Sequence, residues 1–145
     1  MSYIPTAPDL KLRVADLIRR YRKSVDNGDM RNSLLDRRGR EEAGRYTTAG
    51  GALVTVHAKV RHEEKYIYNP PTLVGYEQRV HVGAVAECHG NGCTDPTFEQ
   101  NVNNSWLLHE DADEPAERVM ESVKAAREWA QSHAEKCRAQ AYNGR

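Results

Sequence analysis

The chain has 145 residues, the size of one domain or of one domain with an arm. A hydrophobic content of 39%, with one Phe and two Trp, limits it to a modest, alanine-rich core that would gain from a metal cross-link. Formal net charge is zero, but residues 1–45 carry eleven Lys/Arg against seven Asp/Glu and residues 94–145 carry six against ten; this excludes the blanket positive charge of a nucleic-acid coat and leaves a polar molecule able to orient on a partner or on a second copy of itself.

The longest apolar runs are a few residues, too short to cross a membrane. Met1-Ser2-Tyr3-Ile4-Pro5 lacks the basic and apolar regions of a secretory leader. Three cysteines, an odd number, fit poorly with a secreted disulfide framework, so a reducing, cytoplasmic setting is expected.

Thr6-Ala7-Pro8-Asp9 reads as a helix start, with Thr6 as N-cap and Asp9 placed for a capping box. Leu10, Val14, Leu17, Ile18, Tyr21 and Val25 then recur at helical spacing, and Asn27-Gly28 supplies a stop, which predicts a helix over 7–26. Its opposite face carries Arg13, Arg19, Arg20 and Lys23. From Met30 to Gly51 the pattern fades, and the charge run 36–42 fits either a short helix near 31–43 or a mobile connection. Residues 1–51 therefore read as a helix with a basic arm, and 52–145 as the remainder, the two forming one compact unit.

Over 52–61, Ala52, Val54, Val56, Ala58 and Val60 alternate with polar residues, as in a half-buried strand. Lys65-Tyr66-Ile67-Tyr68 reads as a second short strand, closed by Pro70-Pro71. In 73–88 one parity collects Val74, Tyr76, Val80, Val82, Ala84, Ala86 and Cys88, and Trp106-Leu107-Leu108 can return beside it. The scattered His57, His62, His81 and His109 are expected to face solvent. The last helix is expected to be capped by Asp113, with Pro115 in its first turn and acids at its positive end. Its stripe of Val119, Val123, Ala126, Ala130, His133 and Cys137 spans an arc of roughly 80°. The fold class is α+β: an N-terminal helix, a small antiparallel sheet and a long C-terminal helix.

Cys88-His89-Gly90-Asn91-Gly92-Cys93 is a C-x4-C loop whose glycines permit the positive φ a tight curl requires. His133 and Cys137, four apart, share one helical face and can share one tetrahedral ion. Cys88 ends the inward parity of its strand, so both halves of the set aim at the same interior. The expected ligands of one structural zinc are Cys88, Cys93, His133 and Cys137; His89 in place of His133, or three buried thiols without metal, are the alternatives.

Strand, cysteine knuckle, returning strand and a helix ending in H-x3-C resemble the ββα zinc finger in its CCHC form. The run from Ala126 through Trp129-Ala130, His133-Ala134 and Cys137-Arg138-Ala139 is similar to small zinc-finger proteins of actinobacteria and their phages. The resemblance covers about 82–139 and implies the metal and the ββα piece. Thirty-nine residues separate Cys93 from His133, where a finger has about twelve. A finger reads bases with the first turn of its helix, yet here that turn is acidic, with Asp111, Asp113, Glu114 and Glu117.

No catalytic residue is expected. His133-Ala134-Glu135 resembles the H-x-E of zinc deaminases, but Glu135 lies about 200° around the helix from His133 and the P-C-x-x-C is missing. The reading is a zinc-stabilised module that contacts another protein through Arg19, Arg20, Arg37, Arg38, Arg40, Tyr66 and Tyr68, since arginines and exposed aromatics favour interfaces. Nucleic-acid binding through those arginines, or assembly into a virus particle through self-contact, are the other classes.

Overall fold

A computed structural model describes residues 3–26, 36–69 and 73–141. Two helices pack on one face of a four-stranded antiparallel sheet, the expected α+β class. Helix α1 is Ala7–Asp26; strands β1 (Asp36–Thr47), β2 (Leu53–Asn69) and β3 (Leu73–Cys88) follow; β4 (Gly90–Asn91) lies in the next turn; then come β5 (Thr97–Leu107), helix α2 (Asp113–Lys136) and β6 (Gln140–Ala141). The main sheet has the order β1-β2-β3-β5, a meander in which each strand pairs with the preceding long one.

The inward parity of β2 and β3 is the one the alternation predicts. Val54, Val56, Ala58 and Val60 of β2, with Val80, Val82, Ala84 and Ala86 of β3, are buried against the helices. From α1 the core receives Leu10, Val14, Leu17 and Ile18, and from α2 Val119, Val123, Ala126 and Ala130. Alanine on both α2 and the sheet lets the helix axis come close. Thr6 accepts the first helical bond of α1, from Leu10 N–H at 3.1 Å, and its hydroxyl donates to Asp9 at 2.8 Å. Asp113 is the first residue of α2 rather than its cap: Asp111 Oδ1 accepts the Asp113 N–H at 2.9 Å.

Three strand expectations need correction. The helix or loose connection near 31–43 is an edge strand from Asp36 onward, with 31–35 outside the described residues. Gly39 and Ala43 point inward there, but Arg37 and Glu41 occupy the same parity, so no apolar alternation marks the strand. Arg37 donates to Ser24 Oγ of α1 at 2.7 Å and Glu41 lies 3.6 Å from Arg20, which is how charged side chains are accommodated under a helix. The two pieces 52–61 and 65–68 are one strand, because His62 and Glu64 continue the buried parity. The return strand is longer than Trp106-Leu107-Leu108: it starts at Thr97, and its polar stretch joins the sheet with only Phe98 and Val102 turned toward the core.

Gly39 lies where α1 crosses β1, and a Cβ there would stand 2.5 Å from the Tyr21 hydroxyl and 2.8 Å from Leu17 Cδ2. Arg127 of α2 donates to the Ala43 carbonyl at 2.8 Å and to the Pro5 carbonyl at 3.2 Å, tying that helix to β1 and to the N-terminal segment. The charge asymmetry of the sequence is partly satisfied within the molecule. Lys11 pairs with Glu117 at 2.6 Å and Arg19 with Asp113 at 3.0 Å. No helix among the described residues is long and apolar enough to cross a membrane.

Candidate metal centre

β3 ends at Cys88, whose N–H donates to the Pro96 carbonyl at 2.6 Å across the base of the turn into β5. Within that turn Gly92 takes φ +85°, the left-handed conformation the curl calls for. Gly90 serves differently: a Cβ there would run into the side chains of Ala139 and Ala52. The turn thus brings Cys93 back toward Cys88.

The other half of the cluster comes from the end of α2. Cys137 is the first residue past the helix, in extended conformation, and its N–H still donates to the His133 carbonyl at 2.7 Å. That last helical bond preserves the i, i+4 relation. The ligand atoms of Cys88, Cys93, His133 and Cys137 all lie within 4.8 Å of one another, with Cys93 Sγ 3.4 Å from His133 Nε2. Around a tetrahedral ion, with metal–sulfur bonds of ~2.3 Å and metal–nitrogen bonds of ~2.05 Å, sulfurs would stand about 3.8 Å apart and a sulfur–nitrogen pair about 3.6 Å. The four groups are therefore positioned to hold a metal ion.

Electrostatics agrees. Burial, followed by the adjoining Cys93 and Cys137 thiols, pushes Cys88 up to about 11, against the pull of the Gly90 N–H. A buried thiol held that high ionises when a cation arrives beside it. Ala139 N–H points at Cys137 Sγ from 3.4 Å, a donor suited to a thiolate. Cys88 is buried, while Cys93, His133 and Cys137 border a shallow opening to solvent.

After Cys137 the chain turns back over the site. β6 pairs with β4, Gln140 bridges to Gly50 and Gly51, and Thr48 donates its hydroxyl to the Ala139 carbonyl at 2.8 Å. Cys turn, helix end, tail and β1–β2 turn meet at one corner of the molecule.

His89 is not part of the cluster: its Nε2 lies 2.9 Å from Thr55 Oγ1 on the opposite face of the sheet. Glu135 is exposed, as its helical angle requires. Two residues beyond the expected set shape the site. Trp129 stacks on His133, and Phe98 of β5 stacks on Trp129, so an aromatic column fixes the imidazole. The i, i+4 spacing of Trp129 and His133 is the sequence signal for that contact.

The expected partner residues are dispersed. Arg19 and Arg20 lie on α1, where Arg19 bonds Asp16 and Asp113. Arg37 turns inward to Ser24, while Arg38 and Arg40 turn to the open face of the sheet. Tyr66 and Tyr68 lie in β2 at the end remote from the metal cluster, paired through the backbone with Tyr76 and Val74; their side chains, and Pro70-Pro71, are outside the described residues. His62, expected to face solvent, is fully buried: it continues the inward parity of β2, contacts Tyr21 and lies 2.5 Å from Gln78 Oε1. No protein-family model, curated protein or solved structure matches the chain, so its function is read from the chemistry of these sites.

Proposed function

We propose that the chain is a non-catalytic binding module in which one zinc ion, held by Cys88, Cys93, His133 and Cys137, locks the C-terminal half and the outward face of α1 engages another protein. The donor set carries this reading. Three thiolates and one imidazole in tetrahedral reach suit zinc, and four protein ligands leave no coordination position for an activated water. The role of the ion is therefore structural, and it joins the β3–β5 turn to the end of α2. Free thiols in such a site also suit a reducing compartment. The order strand, cysteine knuckle, strand and helix supports the zinc-finger likeness of 82–139.

The support for the partner surface lies on α1. Arg13, Arg19, Arg20 and Lys23 border one shallow depression with Asp16 and Glu41. Arg19 is engaged by Asp113, but Arg13 and Lys23 pair with no carboxylate among the described residues. An acidic protein surface is their complement, with arginine supplying bidentate contacts to carboxylates. The test is affinity capture from the native host with the intact, zinc-loaded chain and with Arg13→Glu/Lys23→Glu. The reversal is expected to lose its partner while keeping zinc content and melting temperature. Equal recovery of the same partner by both proteins would contradict the assignment.

A further inference from the structure

We propose, resting on the zinc reading above, that the metal cluster is also a peroxide-responsive site, in which oxidation joins Cys93 to Cys137 as a disulfide and releases the ion. The three thiols are unequally exposed. Cys88 is 6% exposed, whereas Cys93 and Cys137 are half-buried and border the opening to solvent together with His133. A thiol buried in a core is inert; oxidation selects thiolates that solvent reaches and that have a second thiol at hand. Two of the three sulfurs here meet both conditions.

The same two thiols are the ones best placed to close on each other. All three sulfurs lie within 4.8 Å of one another, and a disulfide draws its pair to ~2.05 Å. Cys88 is fixed in β3, opposite Val54 of β2, and its N–H donates to the Pro96 carbonyl at 2.6 Å. Cys93 stands in the turn instead, with exposed Gly92 before it and exposed Thr94 and Asp95 after it. A Cβ on Gly92 would meet nothing within 4 Å, so that side of the turn is unpacked. Cys137 lies just past the end of α2, in extended conformation. Both rim cysteines thus sit outside regular structure, where a small backbone shift brings the sulfurs together.

The oxidant is hydrogen peroxide. One rim thiolate attacks it: an S–O bond forms, the O–O bond breaks, and hydroxide leaves with the electron pair. That sulfur, oxidised by two electrons, is then a sulfenic acid. The other rim thiolate attacks it, forming the S–S bond and expelling a second hydroxide. Two protons from solvent complete the balance, so two thiolates and one peroxide give one disulfide and two waters. Cys88 and His133 alone are too few donors for a closed tetrahedral site, and the zinc leaves. The new bond still joins the β3–β5 turn to the end of α2, so the clamp outlasts the ion. A disulfide within the turn, from Cys88 to Cys93, would leave the helix end untethered.

Stoichiometric hydrogen peroxide added to the intact, zinc-loaded chain tests the switch, with an untreated sample as the blank. Released zinc is read by a chromogenic indicator and the sulfur linkages by peptide mass mapping. Zinc content before oxidation decides the metal reading separately. The expected result is one zinc released per peroxide consumed, one thiol left for alkylation at Cys88, and a single cross-link between Cys93 and Cys137. A dithiol reductant with added zinc should restore the starting protein. The oxidised chain should melt above the reduced, chelator-treated chain, because a covalent tie has replaced the ion. Zinc retained after the addition of peroxide, a cross-link that includes Cys88, or an oxidised chain that melts no higher than the chelator-treated one would overturn the proposal and leave the zinc site standing. A chain that takes up no zinc would overturn both.

Discussion

Trp129 lies face to face with His133, ring centroids 4.5 Å apart and planes 13° from parallel, one helical turn before the end of α2. Phe98 extends the stack from β5 at 6.0 Å, so the orientation of the candidate ligand imidazole is set by a strand and a helix together. Groups that orient a ligand typically contribute 10–100-fold in metal affinity. Trp129→Leu is therefore expected to lower zinc affinity by about that factor, with all four ligands intact. Competition with a chromophoric chelator measures it, and unchanged affinity would mean that the stack does not hold the imidazole.

Cys137→Ser removes one thiolate and the sulfur that receives the Ala139 N–H. Metal binding to finger peptides is worth ~10–16 kcal/mol at neutral pH, and a large part of the corresponding stabilisation is expected to vanish here. The variant should melt at the temperature of the chelator-treated parent. Because α1 and α2 share one core, the loss should appear as a single transition by circular dichroism. A melting temperature equal to that of the untreated parent would contradict the clamp.

Gly39→Ala places a methyl group against Tyr21 and Leu17 where α1 crosses β1. The hydroxyl can swing away, but Leu17 is packed in the core, so α1 must lift. A cost of about 1–3 kcal/mol is expected from denaturant unfolding, with metal content unchanged. A neutral substitution would show that the crossing has slack.

His62 gives the stability a pH dependence. Burial holds its pKa below the ordinary 6.5, with Arg37 adding in the same direction against the Gln78 hydrogen bond and Glu64. The folded protein thus binds this proton less readily than the unfolded chain. Stability from neutral His62 is fully present above about pH 6.5 and falls as the pH drops from there toward the folded-state pKa. His57, whose pKa is also lowered first by burial and then by Arg40, acts with the same sign. In chelator-treated protein, which removes the contribution of metal release, His62→Gln should flatten the loss that sets in below about pH 6.5. An unchanged slope would assign the acid sensitivity elsewhere.

What the sequence makes legible follows from where apolar periodicity is strong. α1 occupies the expected 7–26, and the inward parity from Ala52 to Val60 and from Val80 to Cys88 holds residue by residue. The cluster of Cys88, Cys93, His133 and Cys137 is legible because a strand parity, a glycine-bearing turn and a helical i, i+4 pair each point inward. β1 is hidden because its inward positions are Arg37, Gly39, Glu41 and Ala43, whose charges reach out to α1 instead of breaking the strand. β5 is hidden for a similar reason: Gln100 and Asn104 interrupt the parity that carries Phe98, Val102 and Trp106, so no apolar alternation marks the strand. His62 and Glu64 look like surface residues by type, and only the continuation of β2 past Arg61 places them inside.

The proposed function stands on one zinc ion being held where Cys88, Cys93, His133 and Cys137 converge. Cobalt(II) substitution of the purified chain, followed by titration with zinc, tests it most directly. One equivalent of metal per chain is expected, with intense visible bands typical of tetrahedral sulfur–nitrogen coordination, thiolate-to-cobalt charge transfer, and displacement by one equivalent of zinc. A folded protein that takes up no metal, with all three thiols titrating freely against a thiol reagent, would contradict it.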